Sequence, residues 1–268
     1  MKFFYKTILF SCFNVLMFLC FNGVAVAQSN FPLKANFFLK WELTESQARE
    51  LSKWDLLILD MEIQANRPDL LKKIKQLHPD IILLAYITPQ EIKKDSASSS
   101  SVLRRKFAAG ISSSWYLKNR QGAELNWWPG TTLLNVTDSA PLVGGRRFNQ
   151  YLPEFVAKEI LSTGLWDGVF YDNAWDSITH FIGADVDMDG DGAADSDADE
   201  QWVAGMKKIY NTTRSLSGGS LVIGNGTTRA YTADLNGKLM ENFSPSFWEP
   251  IMATYKSNFQ GAILPRVN

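Results

Sequence analysis

The sequence is poor in the residues on which many hydrolases build their chemistry. It holds two cysteines, Cys12 and Cys20, and two histidines, His78 and His180, in 268 residues. So little histidine nearly excludes the His-rich metal centres common among hydrolytic enzymes. Both cysteines fall near the N-terminus, so disulfides and thiol catalysis are excluded from everything after Cys20. Glycine (18) and proline (10) are too few for a fibrous or collagen-like chain. Lys+Arg (27) and Asp+Glu (28) nearly cancel, so no basic face recommends a nucleic-acid partner. No phosphate-cradling glycine signature and no Gly-x-Ser-x-Gly elbow occur, and no organic cofactor is expected.

What the chain does have is a large apolar fraction, 46% hydrophobic with 13% aromatic residues, enough for the core of one large domain. Residues 1–27 read as a secretory signal peptide. Lys2 and Lys6 form the positive segment, Ile8 to Phe21 the apolar one, and Ala25-Val26-Ala27 the small-residue cleavage pattern. A membrane anchor is the competing reading, but the apolar run is short against the roughly 20 residues of a bilayer span. Cleavage would leave 28–268 as one exported domain, secreted or periplasmic, with no membrane attachment.

Short apolar runs recur at Ala35–Lys40, Leu56–Met61, Ile81–Ile87, Thr131–Val136, Gly168–Asn173, Ser220–Asn225 and Gly237–Phe243. Most lack polar alternation, as strands buried on both faces of a parallel sheet do. Helical patterns lie between them. Thr44-Glu-Ser-Gln47 is a capping-box signature opening Thr44–Trp54, and Pro68–Leu77, Phe148–Ser162 and Asp199–Leu216 carry apolar stripes at spacings of three and four. Alternation of this kind predicts an α/β fold of right-handed crossover units. Seven strands with an eighth at Gly261–Asn268 point to a (β/α)8 TIM barrel lacking its last strand or helix at the C-terminus. An open doubly wound sheet is the alternative.

In such a barrel the chemistry gathers at the C-terminal strand ends. There the sequence places Asp60, Asn135, Asp172 with Asn173, Asn225, and Glu241. Two carboxylates facing across a cavity can cleave a glycosidic bond, one protonating the leaving oxygen and the other attacking the sugar or activating water. Asp172 and Glu241 are the candidate pair. Met240 and Phe243 give Glu241 an apolar setting suited to a general acid, and Asn173 follows Asp172 with an amide that favours the carboxylate. Asp60, Asn135, Asn173 and Asn225 are candidates for binding sugar hydroxyls. The plain alternative for each acid is a helix cap or an arginine partner. Nine tryptophans are many for this length. Trp175, three residues after Asp172, is the candidate for stacking on a sugar ring, while Trp54, Trp166 and Trp202 suit core positions.

A second motif is Asp185-Val-Asp187-Met-Asp189-Gly-Asp191-Gly-Ala-Ala-Asp195-Ser-Asp197. Alternate aspartates with turn-forming glycines supply hard oxygen ligands suited to Ca²⁺, and without a cation the carboxylates repel one another. Asp185, Asp187, Asp189, Asp191 and Asp195 are the candidate ligands of a structural calcium ion in an insert at 185–199. A solvated acidic loop is the alternative.

The segments Trp54–Gln64, Asp80–Gln90, Leu165–Ser177 and Gly237–Phe243 together resemble the hypothetical glycosyl hydrolase family 15. Trp166-Asp-Gly-Val-Phe-Tyr-Asp-Asn-Ala-Trp-Asp176 carries most of the likeness. Through the Asp-Gly-Val-Phe-x-Asp-Asn pattern the chain is more distantly similar to endo-α-1,4-polygalactosaminidases. The resemblance implies a carbohydrate-active barrel with Asp172 and Glu241 at its catalytic strand ends, acting on a polysaccharide or oligosaccharide. A non-catalytic carbohydrate-binding or surface-assembly barrel is the alternative in another functional class.

Overall fold

A computed structural model describes residues 33–240 and 262–265. The proposed signal peptide, Glu241 and Trp248 lie outside the described residues.

Seven parallel strands form the main sheet and lie side by side in chain order. They are β1 (Ala35–Phe38), β2 (Leu56–Asp60), β3 (Ile82–Ile87), β6 (Gly168–Tyr171), β7 (Leu221–Asn225), β8 (Gly237–Met240) and β9 (Ala262–Pro265). Six of the seven anticipated runs therefore become strands of this sheet. The segment anticipated as the eighth adds to its edge, pairing parallel with β8 from Gly237↔Ala262 to Met240↔Pro265.

The run at Thr131–Val136 is the exception. Only Thr131–Leu133 (β5) is strand, and it pairs antiparallel with Glu91–Lys93 (β4) in a separate two-stranded sheet. The reason lies in where its backbone bonds go. Leu134 N–H donates to Gln90 O (2.7 Å), Asn135 N–H to Trp115 O (2.7 Å), and Leu133 O accepts from Leu117 N–H (2.9 Å). Neighbouring loop segments satisfy this backbone, so β3 pairs directly with β6. The apolar side chains that suggested a barrel strand pack under those loops.

The parallel sheet is curled. In the order β1-β2-β3-β6, β1 and β6 are three spacings apart, roughly 14 Å in a flat sheet. Yet the Phe37 and Phe170 rings lie 5.6 Å apart, edge to face, and Phe37 also meets Tyr86 of β3 at 5.7 Å. Alternate residues of the strands fill this concave face, among them Ile58, Leu84, Phe170, Ile223 and Leu239. Gly168 allows the tight approach of β6 to β7, since a Cβ there would stand 2.1 Å from Leu221 O. The other face carries Leu57, Leu59, Leu83, Val169 and Val222 in the larger core against the helices. Burial on both faces is why these runs are apolar without alternation.

Helices follow the strands as crossovers. α1 (Glu45–Leu51) begins at the anticipated capping box, with Gln47 N–H donating to Thr44 Oγ1 (3.2 Å) and Thr44 N–H to Gln47 Oε1 (2.9 Å). Short α2 (Ile63–Asn66) leads into α3 (Pro68–Leu77), which starts at its proline, whose missing N–H is no loss in a first turn. α4 (Val102–Ala109), which the sequence pattern does not announce, is capped by Ser101, whose Oγ accepts from Arg104 N–H. α5 (Phe148–Phe155) continues into a π-helical turn at Val156–Ile160, and α6 (Ile178–Ile182) precedes the long α7 (Ala198–Leu216). Among the described residues no helix is long and apolar enough to cross a membrane.

Candidate active site

Along each strand the residues that face the concave side recur every second position. Extending that step to the C-terminal ends takes Ile58 to Asp60, Leu84 to Tyr86, Phe170 to Asp172 and Ile223 to Asn225. Four adjacent strands thus close the apolar interior with a polar rim.

Asp172 is its centre. Tyr86 Oη donates to Asp172 Oδ2 at 2.5 Å, Asn225 Nδ2 donates to Oδ1 at 2.8 Å, and Asn173 N–H donates to Oδ1 at 2.9 Å. The chain turns immediately after the strand. Asn173 makes the turn by adopting φ 53°, a left-handed conformation that asparagine tolerates better than most residues. Gln90, wholly buried, secures the turn from below by donating to Asn173 O at 2.5 Å. Burial and the charge of Asp172 push the Tyr86 phenol far above its ordinary value, so Tyr86 remains a donor. Glu91 stands nearby. Burial, together with the Asp172 charge, raises its carboxyl pKa.

Asp60 lies on the other side of Tyr86, its partner in the β2–β3 register. It is buried, and burial raises its pKa against the opposing charge of Arg104. Asp60 Oδ2 accepts from Trp41 Nε1 (3.1 Å) and from Arg104 (3.3 Å), while Oδ1 accepts from Glu62 N–H (3.1 Å). Arg104 Nε also comes within 3.1 Å of Glu62 Oε1. Burial, opposed by Arg104, raises the Glu62 pKa to about 7.

The strand-end candidates thus divide. Asp60, Asp172 and Asn225 share the rim, and Asn173 meets it through its backbone N–H. Asn135 does not join them, because its amide donates to Met188 O (2.6 Å) and its Oδ1 accepts from the Thr137 hydroxyl (2.7 Å). Asp138 pairs with Lys208 and Asn149 instead. Trp175 is half-buried, with one face stacked on Phe181 at 3.8 Å and Trp127 tilted against it at 5.0 Å. Tyr86, Glu62, Arg104 and Trp41 were not singled out in the sequence. The period-two step onto the end of β3 was the available signal for Tyr86.

In the aspartate-rich loop, carboxylate oxygens of Asp187, Asp189 and Asp195 lie within 4.8 Å of one another. Asp187 accepts from Gly190 and Gly192 N–H (2.7 and 3.0 Å), and Asp195 accepts from Met188 N–H (2.6 Å). Asp185 turns to Arg120 (3.3 Å), and Asp191 accepts from Ala193 N–H (2.8 Å), so both stand outside that trio. Asn135 ties Met188 of this loop to the segment after β5.

The sequence model of the hypothetical glycosyl hydrolase family 15 matches residues 75–259. No curated protein sequence matches the chain. The glycoside hydrolase domain of PelA from Pseudomonas aeruginosa is similar in fold, with a TM-score of 0.54 at 14% identity over 86% of this chain and 81% of that one. A variant of the same domain gives 0.53 at 13% identity with the same coverage. At such identity the likeness is one of fold.

Proposed function

The chain belongs to the hypothetical glycosyl hydrolase family 15, and we propose that it is an exported glycosidase acting on a polysaccharide or oligosaccharide with a pair of carboxylates. The observation that carries this reading is Asp172, a carboxylate at a strand end gripped by Tyr86, Asn225 and the Asn173 N–H. Three donors fix both oxygens of a group that must meet an anomeric carbon along one line.

Asp172 is the nucleophile or base in this proposal and Glu241 the general acid. In sequence Glu241 follows Leu239 by two residues, the same step that takes Phe170 to Asp172 and Ile223 to Asn225. Asn173 and Asn225 then serve sugar hydroxyls, and Asp60 does so on the far side of Tyr86. The curl of the parallel sheet supports a barrel as the full architecture. The trio Asp187, Asp189 and Asp195 supports a structural Ca²⁺ that braces the connection after β6. Lys2, Lys6 and the apolar segment behind them support export.

The test is a digestion screen of the full chain against neutral, acidic and amino-sugar polysaccharides, read as new reducing ends. The reading stands if at least one glycan is cleaved by the wild type and not by Asp172→Asn. It falls if none is cleaved, or if the variant cleaves equally well.

A further inference from the structure

At the β1–β2 end of the rim an indole is joined to three ionisable side chains. Trp41 Nε1 donates to Asp60 Oδ2 at 3.1 Å, and the Arg104 guanidinium lies 4.9 Å from the Trp41 ring centroid. The same guanidinium donates to Asp60 at 3.3 Å and approaches Glu62 at 3.1 Å. Glu62 is fully buried and accepts a further bond from the Ser101 hydroxyl. Asn66 Nδ2 donates to the backbone O of Trp41 at 3.0 Å.

Tryptophans of a fold are ordinarily held by apolar packing. Trp41 is not. Among the described residues it belongs to neither apolar cluster and has no aromatic neighbour, yet it is only half-buried. Two buried carboxylates and a partly buried guanidinium are gathered beside it, an arrangement that seldom raises stability over apolar packing. Its effect is to lock one indole in place. With the N–H tied to Asp60 and one face against Arg104, the ring can offer a partner only flat π-surface. Trp41 also stands just past the C-terminal end of β1, beside Asp60, whose register partner Tyr86 binds Asp172.

Resting on the glycosidase reading above, we propose that Trp41 is a stacking platform for a pyranose ring, a sugar subsite at the β1–β2 end of the rim, positioned by Asp60, Arg104 and Glu62. The C–H face of a pyranose is an apolar plate with a polar edge. It suits a fixed aromatic surface at one end of a polar rim that runs on through Tyr86 to Asp172. Trp175, already stacked on Phe181, is the less available ring.

The test uses the full chain carrying Asp172→Asn, so that glycans bind without turnover, labelled with 5-fluorotryptophan. The Trp41 resonance is assigned by its loss in Trp41→Phe. Cellohexaose, maltohexaose and chitohexaose are titrated in turn. A saturable shift of the Trp41 resonance with at least one hexasaccharide is the expected result. Trp41→Leu, with its fold checked by circular dichroism, should weaken that binding roughly tenfold, about what one aromatic stacking contact contributes. The platform is overturned if Trp41 stays unmoved by all three, or if Trp41→Leu binds equally tightly. The digestion screen separates the two readings. Cleavage with an unmoved Trp41 leaves a glycosidase without this subsite, and a shifted Trp41 without cleavage of any glycan leaves a sugar subsite on a non-catalytic protein.

Discussion

Tyr86 and Asp172 stand at the ends of neighbouring parallel strands, and the phenol of the first donates to the carboxylate of the second at 2.5 Å. The bond joins positions 86 residues apart in the chain and fixes one oxygen of the proposed nucleophile. Tyr86→Phe removes that donor and keeps the ring that packs on Phe37 and Phe170. Turnover on the cleaved glycan should fall about 10- to 100-fold, the worth of a hydrogen bond to a charged group, with KM little changed. A Tyr86→Phe enzyme with wild-type kcat would show that Asp172 does not depend on this contact.

Much of the rim is visible in the sequence because the strands are buried on both faces. A polar residue ending an apolar run, as at Asp60, Asp172 and Asn225, then has few places to go other than the mouth. Tyr86 escaped notice because Ile87 continues the apolar run, so its β3 shows no polar stop. Glu62, Arg104 and Trp41 escaped for a different reason. Their roles arise from contacts between a strand end, a helix and a loop, and no local pattern encodes such a meeting. Thr131–Val136 misled in the opposite direction. Its apolar residues are buried by loops, and burial alone does not say which backbone will pair with it. Asn135 followed that segment away from the rim.

Glu62 predicts a particular pH dependence of stability. Its carboxyl is buried, and its pKa rises from the ordinary 4.5 to about 7 in the folded protein. The folded state therefore holds this proton more tightly than the unfolded state does. The contribution of Glu62 to stability is most favourable below about pH 4.5, declines as pH rises through about 7, and is level above it. The decline should be on the order of 3 kcal/mol at most. Glu62→Gln should flatten it. The check is urea denaturation at pH 5 and pH 8, where the wild type should lose more stability across the interval than the variant. An equal loss in both would assign the pH dependence to other groups.

The aspartate-rich loop predicts a metal effect on heat stability. A cation bound by Asp187, Asp189 and Asp195 in the folded state alone would stabilise it by mass action. The thermal midpoint should climb with free Ca²⁺ and drop in EDTA. The double change Asp187→Asn with Asp189→Asn should abolish the climb. Arg120→Ala, which frees Asp185 from its ion pair, should leave it in place because Asp185 stands outside the trio. A midpoint identical in EDTA and in millimolar Ca²⁺ would identify the loop as a solvated acidic turn.

The division of labour between the two carboxylates can be read from leaving groups. A general acid matters in proportion to the basicity of the departing oxygen, whereas a nucleophile or base is needed whatever departs. Glu241→Gln should therefore lose most turnover on a natural glycan, where the leaving alkoxide must be protonated, by something like the 10²–10⁴-fold that proton transfer contributes. On an aryl glycoside the phenolate leaves without help, and the same variant should lose far less. Asp172→Asn should be inactive on both, because Tyr86, Asn225 and the Asn173 N–H would then orient an amide that can neither attack a sugar nor activate water. The comparison needs only initial rates of the three enzymes on the two substrates. If Glu241→Gln cleaves the natural glycan as fast as the wild type does, the acid lies elsewhere. Glu91 would then be the first alternative, since its carboxyl stands near Asp172 and burial already raises its pKa toward that of a proton donor.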